Sequence, residues 1–292
     1  MKKKVNSQDY IESMLPKTRK EVFFDVLKLH FFDLLKIGFI SLLFIFPLLF
    51  FITFKDQYVI KLNYELANAS NENDIIKLKG ELLYFKNITA FIIMLCLIIY
   101  SIFFAGFTRV IRQYCWEENV YFKSDFKKGI KDNKKQMIIL FLFIGIIYSL
   151  ENYLYNYYVY TNNALYNYLF IVTICFTFFV IIPIFSYCII CIPIYDNKLL
   201  DNMKISMLLY VKNPFKTWKI LLPSGILFFL NLIPNIYTHI IFLLLSFLFI
   251  PYSLLAYSLH SYDILDKDLN TYKHQEIVNK GLYIGKDDKN EN

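Results

Sequence analysis

Cys188-Ile-Ile-Cys191 has the spacing of a redox or zinc pair. It lies in an apolar run, with no second cysteine pair and no nearby histidine, so both thiols read as small hydrophobic side chains. The four histidines, His30, His239, His260 and His274, are scattered along the chain. No HExxH, no GxSxG, no phosphate-binding Gly-rich loop and no cluster of carboxylates occurs. The sequence therefore predicts no catalytic set, no cofactor site and no metal site. Two ionisable residues stand near the ends of apolar runs, Glu151 and His239. Charge in hydrocarbon is costly and normally marks an ion path, so these two form a candidate outer vestibule. The middles of the apolar runs are otherwise nearly free of ionisable groups, which argues against a proton-coupled pump.

The apolar runs themselves decide the class. The chain has 292 residues, of which 57% are hydrophobic and only 19% charged. A soluble domain would be about a quarter charged, with the charges spread through the chain. Here they gather between long apolar blocks, as expected when lipid is the solvent. The reading is an all-α polytopic membrane bundle of six spans, placed at 37–54, 88–107, 137–157, 168–194, 218–233 and 236–259. Residues 1–36 form a leading segment whose 18–36 stretch is amphipathic and suits an interfacial helix. Residues 261–292 form a tail. The stretch 55–87 is expected as a polar, partly helical outer loop. No secretory signal peptide is evident, and the first apolar run reads as a retained span.

Lys and Arg then orient the spans. Twenty-six of them fall in the leading segment, in 104–136, in 195–219 and in the tail. Five fall on the opposite side, all between Lys55 and Lys86, where five acidic residues accompany them. This excess predicts both termini in the cytoplasm of a plasma-membrane protein. Arg109, Arg112, Lys123, Lys127, Lys128, Lys131, Lys212, Lys216 and Trp218 are the candidate patch for a cytoplasmic partner or for anionic lipid head groups. The net charge of +7 follows this distribution, so nucleic acid is not an expected partner. Tyrosines from Tyr153 to Tyr168 suit an aromatic belt at the outer interface. Gly is too sparse for a GxxxG pairing face.

Several short segments carry a family resemblance. Ala105-Gly106-Phe107-Thr108, Glu117-Glu118, Tyr121–Lys128 and Asp132–Gln136 lie in the first basic connector. Ile192–Lys198, Lys204-Ile205-Ser206 and Asn213–Thr217 follow, and then Leu232-Ile233-Pro234 and Leu255-Ala256-Tyr257. Together they resemble the YesL-like family of bacterial multi-pass membrane proteins, over most of residues 25–265. The sequence departs from the family in its longer lead, its extended 55–87 loop, its tail and its diluted Phe-rich segment. The family has no established activity. The resemblance implies a non-catalytic accessory or regulatory component linked to carbohydrate or other solute uptake. A second likeness suggests an alternative. Tyr210–Pro223 is similar to the coupling loop of ATP-driven importer permeases, which would make 195–219 a dock for an ATPase. A membrane scaffold without a solute is the third reading.

Overall fold

The protein is described by a computed structural model over residues 15–283. It is helical throughout, with no strand among the described residues. Helix α1 (Arg19–Leu29) is capped by the Thr18 hydroxyl, which accepts from the Glu21 amide. It is followed by α2 (Phe31–Asn68), α3 (Glu72–Cys115) and α4 (Phe122–Thr161). Next come α5 (Ala164–Phe176), a π turn (Thr177–Ile181) and α6 (Ile182–Cys191), which form one continuous rod. Helices α7 (Leu199–Lys212) and α8 (Pro214–Gly225) make an elbow, a 3-10 segment (Ile226–Leu232) continues from α8, and α9 (Ile236–Leu265) closes the bundle.

Five helices are long and apolar enough to cross a membrane: Phe31–Asn68, Glu72–Cys115, Phe122–Thr161, Ala164–Cys191 and Ile236–Lys273. The stretch 218–233, expected as a span, is built differently. Its α-helix stops at Gly225, two residues beyond Pro223, and gives way to the tighter 3-10 form. The two pieces together are about 30 Å long, at roughly 1.5 Å and 2.0 Å of rise per residue. Connectivity fixes their course. Arg19, at the start of α1, pairs with Asp266 at the end of α9, and the Tyr283 amide bonds to the Pro16 carbonyl. Both described ends of the chain therefore lie at one end of the bundle, the terminal end. His239, near the start of α9, meets Thr53 at the opposite, far end. The α8–3-10 segment must run from one end to the other.

The stretch 55–87, expected as a partly helical outer loop, is helical on both sides of a short turn. Helices α2 and α3 continue beyond their apolar runs as an antiparallel pair. Tyr58 donates to Glu81 at 2.7 Å and packs on Phe85, and Asn71 caps α3 through the Asn73 amide. At the terminal end the basic connector is also mostly helix. Its Phe/Lys-rich part forms the first turns of α4, leaving only 116–121 as a turn.

Packing in the middle is aromatic. Phe44 stacks on Phe103. Tyr100 and Phe104 lie against Phe141 at 6.3 Å and 5.6 Å between ring centres, and Phe141 meets Phe185 at 5.4 Å. This seam joins α2, α3, α4 and α6. Close approach elsewhere uses single glycines rather than a GxxxG face. A Cβ on Gly38 would lie 1.7 Å from the Phe247 carbonyl oxygen of α9, and one on Gly129 would lie 2.9 Å from the Ala105 carbonyl oxygen of α3.

Candidate functional site

The densest polar chemistry lies at the terminal end, where four separate stretches of chain meet. The Arg19 Nη2 pairs with Asp266 Oδ2 at 2.7 Å, both side chains about nine-tenths buried. Arg19 Nη1 also donates to the Lys280 carbonyl at 2.7 Å. The other Asp266 oxygen accepts from Asn270, whose own oxygen accepts from the Tyr195 hydroxyl. Arg112 donates to the Pro193 carbonyl at 2.7 Å and lies 3.7 Å from Glu118. Glu118 in turn holds Lys280 at 2.7 Å. Arg112 and Lys280 both lie over the Trp116 ring, at 4.7 Å and 4.3 Å from its centre. Gly281, at φ +84°, lets the tail turn against the Cys115 carbonyl, where a side chain would collide. This clasp ties the leading segment, the 116–121 turn, the 192–198 turn and the tail into one body.

Beside the clasp lies an open cleft of about 660 Å³, bordered by Asp25, His30, Tyr114, Glu117 and Glu118. Glu117 takes a left-handed conformation, φ +52°. Burial raises the affinity of its carboxyl for a proton, and the nearby Asp25 charge adds to this. His30 stacks on Tyr114 at 4.5 Å.

The sequence-predicted residues divide. Arg109 and Arg112 are structural struts rather than a free patch. Arg109 crosses from α3 to Asp132 of α4 at 3.1 Å, and Arg112 belongs to the clasp. Lys123, Lys127, Lys128 and Lys131 are exposed along α4, without an ion pair among the described residues. Lys212 and Lys216 are exposed at the α7–α8 elbow. Trp218 is half-buried and internal. It stacks on Phe178 at 4.7 Å, and its indole N–H points to the Tyr210 hydroxyl at 3.4 Å. The terminal end thus carries two separate groups of exposed lysines, and Trp218 is not on its surface.

Glu151 and His239 are engaged separately. Glu151 accepts from Thr177 at 2.6 Å, between α4 and the π turn. His239 meets Thr53 at 3.0 Å, with Asp56 at 3.7 Å from its other nitrogen, between α9 and α2. Each has its own partners on a different pair of elements, so no contact joins them into one vestibule. Cys188 and Cys191 are buried in α6, and no group of three His, Cys, Asp or Glu among the described residues could hold a metal ion.

Sequence reasoning missed the clasp. The signal available was the coincidence of Arg19, one of only three arginines, with an Asp-rich stretch after the last span. Comparison with family models, with curated proteins and with solved structures finds no match for this chain. What the fold itself defines is an all-α membrane bundle.

Proposed function

We propose that this protein is a non-catalytic accessory or regulatory component of a solute-uptake system, as its resemblance to the YesL-like family implies, with carbohydrate as the leading solute class. On this reading it sits in the bacterial plasma membrane with its terminal end in the cytoplasm, the side that carries twenty-six of its thirty-one Lys and Arg. The observation that carries the proposal is the aromatic seam. Phe44, Tyr100, Phe103, Phe104, Phe141 and Phe185 fill the middle of the bundle, where a permease would keep a polar, openable passage. A filled core joined to a rigid clasped end suits a subunit that supports or regulates a neighbour.

A second reading has its own observation. The α7–α8 elbow exposes Leu200, Met207, Leu208, Val211 and Phe215, the last at 89%. An apolar, Lys-flanked elbow on the cytoplasmic side is what a permease subunit would offer an ATPase. Co-purification after mild solubilisation separates the two. Under the accessory reading, transport-system membrane subunits are recovered with the protein. Under the permease reading an ATPase is recovered, and Lys212→Glu, Lys216→Glu or Phe215→Ser weakens that association. Recovery of neither class leaves only a scaffold without a solute and overturns both.

A further inference from the structure

A groove of about 400 Å³ runs between α1 and the last turns of α9. Its α1 wall presents Arg19, Lys20, Phe23 and Phe24, and its α9 wall presents Ala256, Leu259, His260 and Asp263. On α9 the polar residues lie toward the terminal end, and Leu259 and Ala256 lie toward the middle of the bundle. Phe24 is 56% exposed. A groove with a charged mouth and an apolar floor has the polarity of a phospholipid, head group outward and acyl chain inward.

The charge at the mouth is cationic and only partly used. Asp263 is already neutralised by Lys267 at 3.0 Å. Lys20 is exposed and has no ion pair among the described residues. His260 donates through Nε2 to the Lys216 carbonyl at 3.1 Å, which brings the start of α8 alongside. Lys216 and Lys219 lie near that imidazole, and both are exposed and unpaired among the described residues. The Arg19 guanidinium is used by the clasp, its Nη atoms satisfied by Asp266 and Lys280 and its Nε buried, so the free cations at the mouth are the lysines.

We infer that this groove binds one anionic phospholipid, its phosphate held by Lys20 with Lys216 and Lys219 nearby, and one acyl chain lying on Phe23, Phe24 and Leu259. The site fixes α1 against α9 at the membrane surface, so the lipid acts as a structural ligand of the clasped end. The inference holds for either orientation of the bundle.

Native mass spectrometry of the full chain in detergent tests it, with phosphatidylglycerol and phosphatidylcholine titrated in parallel. The expected result is a retained single phosphatidylglycerol adduct, with phosphatidylcholine bound at least tenfold more weakly. Lys20→Glu removes a surface cation without touching the clasp and should weaken phosphatidylglycerol about fivefold or more. Lys123→Glu makes the same charge change on α4 and should leave it unaltered. Phe24→Ser should also weaken it, while leaving the displacement of phosphatidylglycerol by inorganic phosphate undetectable. Equal retention of the two lipids, equal loss in Lys20→Glu and Lys123→Glu, or displacement by millimolar inorganic phosphate would overturn the proposal. The first two outcomes mean general adsorption and the third means a simple anion site.

Discussion

Single residues in this protein do work that their type does not announce. Pro183 has no N–H, so the Phe179 carbonyl four residues earlier loses its α-helical donor. The chain answers with the π turn at Thr177–Ile181 and with the Tyr210 hydroxyl, which donates to that carbonyl at 2.6 Å. Tyr210→Phe should therefore cost about 1 kcal/mol, read as a lower melting temperature in detergent, and should loosen the Trp218 stack, read as a shift in tryptophan emission. An unchanged melting temperature would mean that the π turn alone satisfies the carbonyl. The neighbours Glu117 and Glu118 do opposite things. Glu118 pairs with Lys280 and Arg112, whereas Glu117 is held in a left-handed backbone at the exposed edge of the cleft, near Asp25. A carboxyl whose folded proton affinity is raised binds its proton more tightly folded than unfolded. It favours the folded state as pH falls toward the ordinary glutamate value and penalises it as pH rises above that window. Glu117→Gln should accordingly raise the melting temperature at pH 8 and change it little at pH 4.5. The opposite ordering would show that Glu117 is stabilising as a carboxylate.

At the scale of elements, hydropathy and charge reveal where helices lie but not where they end or how they touch. The apolar runs of α2, α3 and α9 were legible because lipid demands about 20 apolar residues per crossing. Their polar extensions were legible only as a partly helical stretch, because tertiary pairing rather than hydropathy keeps all of 55–68 and 72–87 helical. Arg109 and Arg112 illustrate the same limit. Their positions between spans read as topology charge, and only packing shows that Asp132, Glu118 and the Pro193 carbonyl occupy them. The glycines carry the contact information that composition hid. Gly38 lies where α9 backbone crosses α2, and Gly38→Ala would force the Phe247 carbonyl away by more than an ångström. That substitution should cost about 1–3 kcal/mol or more and lower the yield of folded protein, whereas Gly80→Ala, in open space on the α3 extension, should be neutral or slightly stabilising. Equal effects at the two glycines would refute the α2–α9 seam.

At the scale of the whole molecule, the clasp converts a bundle of antiparallel hairpins into a closed object. Helices α2, α3 and α4 are joined by tight turns, but α1 and the tail are distant in sequence and are held mainly through Asp266, which accepts from Arg19 and Asn270 and lies 3.3 Å from the Asn279 amide. Removing that carboxylate leaves a buried guanidinium without its counter-charge, a change that costs about 3–5 kcal/mol in buried pairs. Asp266→Ala should therefore release the tail before it unfolds the spans. In limited trypsinolysis, cleavage after Lys273 and Lys280 should accelerate strongly, while the transmembrane fragment stays intact and its far-UV circular dichroism is unchanged. Replacing both partners, Arg19→Met with Asp266→Leu, should recover much of the lost stability, because no buried charge is then left alone. Loss of the spans together with the tail would show instead that the clasp is needed to assemble the bundle.

The same closure fixes a topology that can be read directly. Because both described ends of the chain meet at one end of the bundle, an even number of crossings is the expectation, with the α8–3-10 segment joining the five long apolar helices as the sixth. An impermeant maleimide applied to intact cells should label a cysteine placed at Asn73, on the exposed far-end turn, and should reach one placed at Lys123 only after permeabilisation. The native Cys115 cannot serve as the reporter, because it is fully buried beneath the tail at Gly281. Reversed labelling of Asn73→Cys and Lys123→Cys would invert the bundle in the membrane and place the clasp outside. Labelling of both from outside would break the even count, and with it the requirement that a kinked, part 3-10 segment carry a crossing.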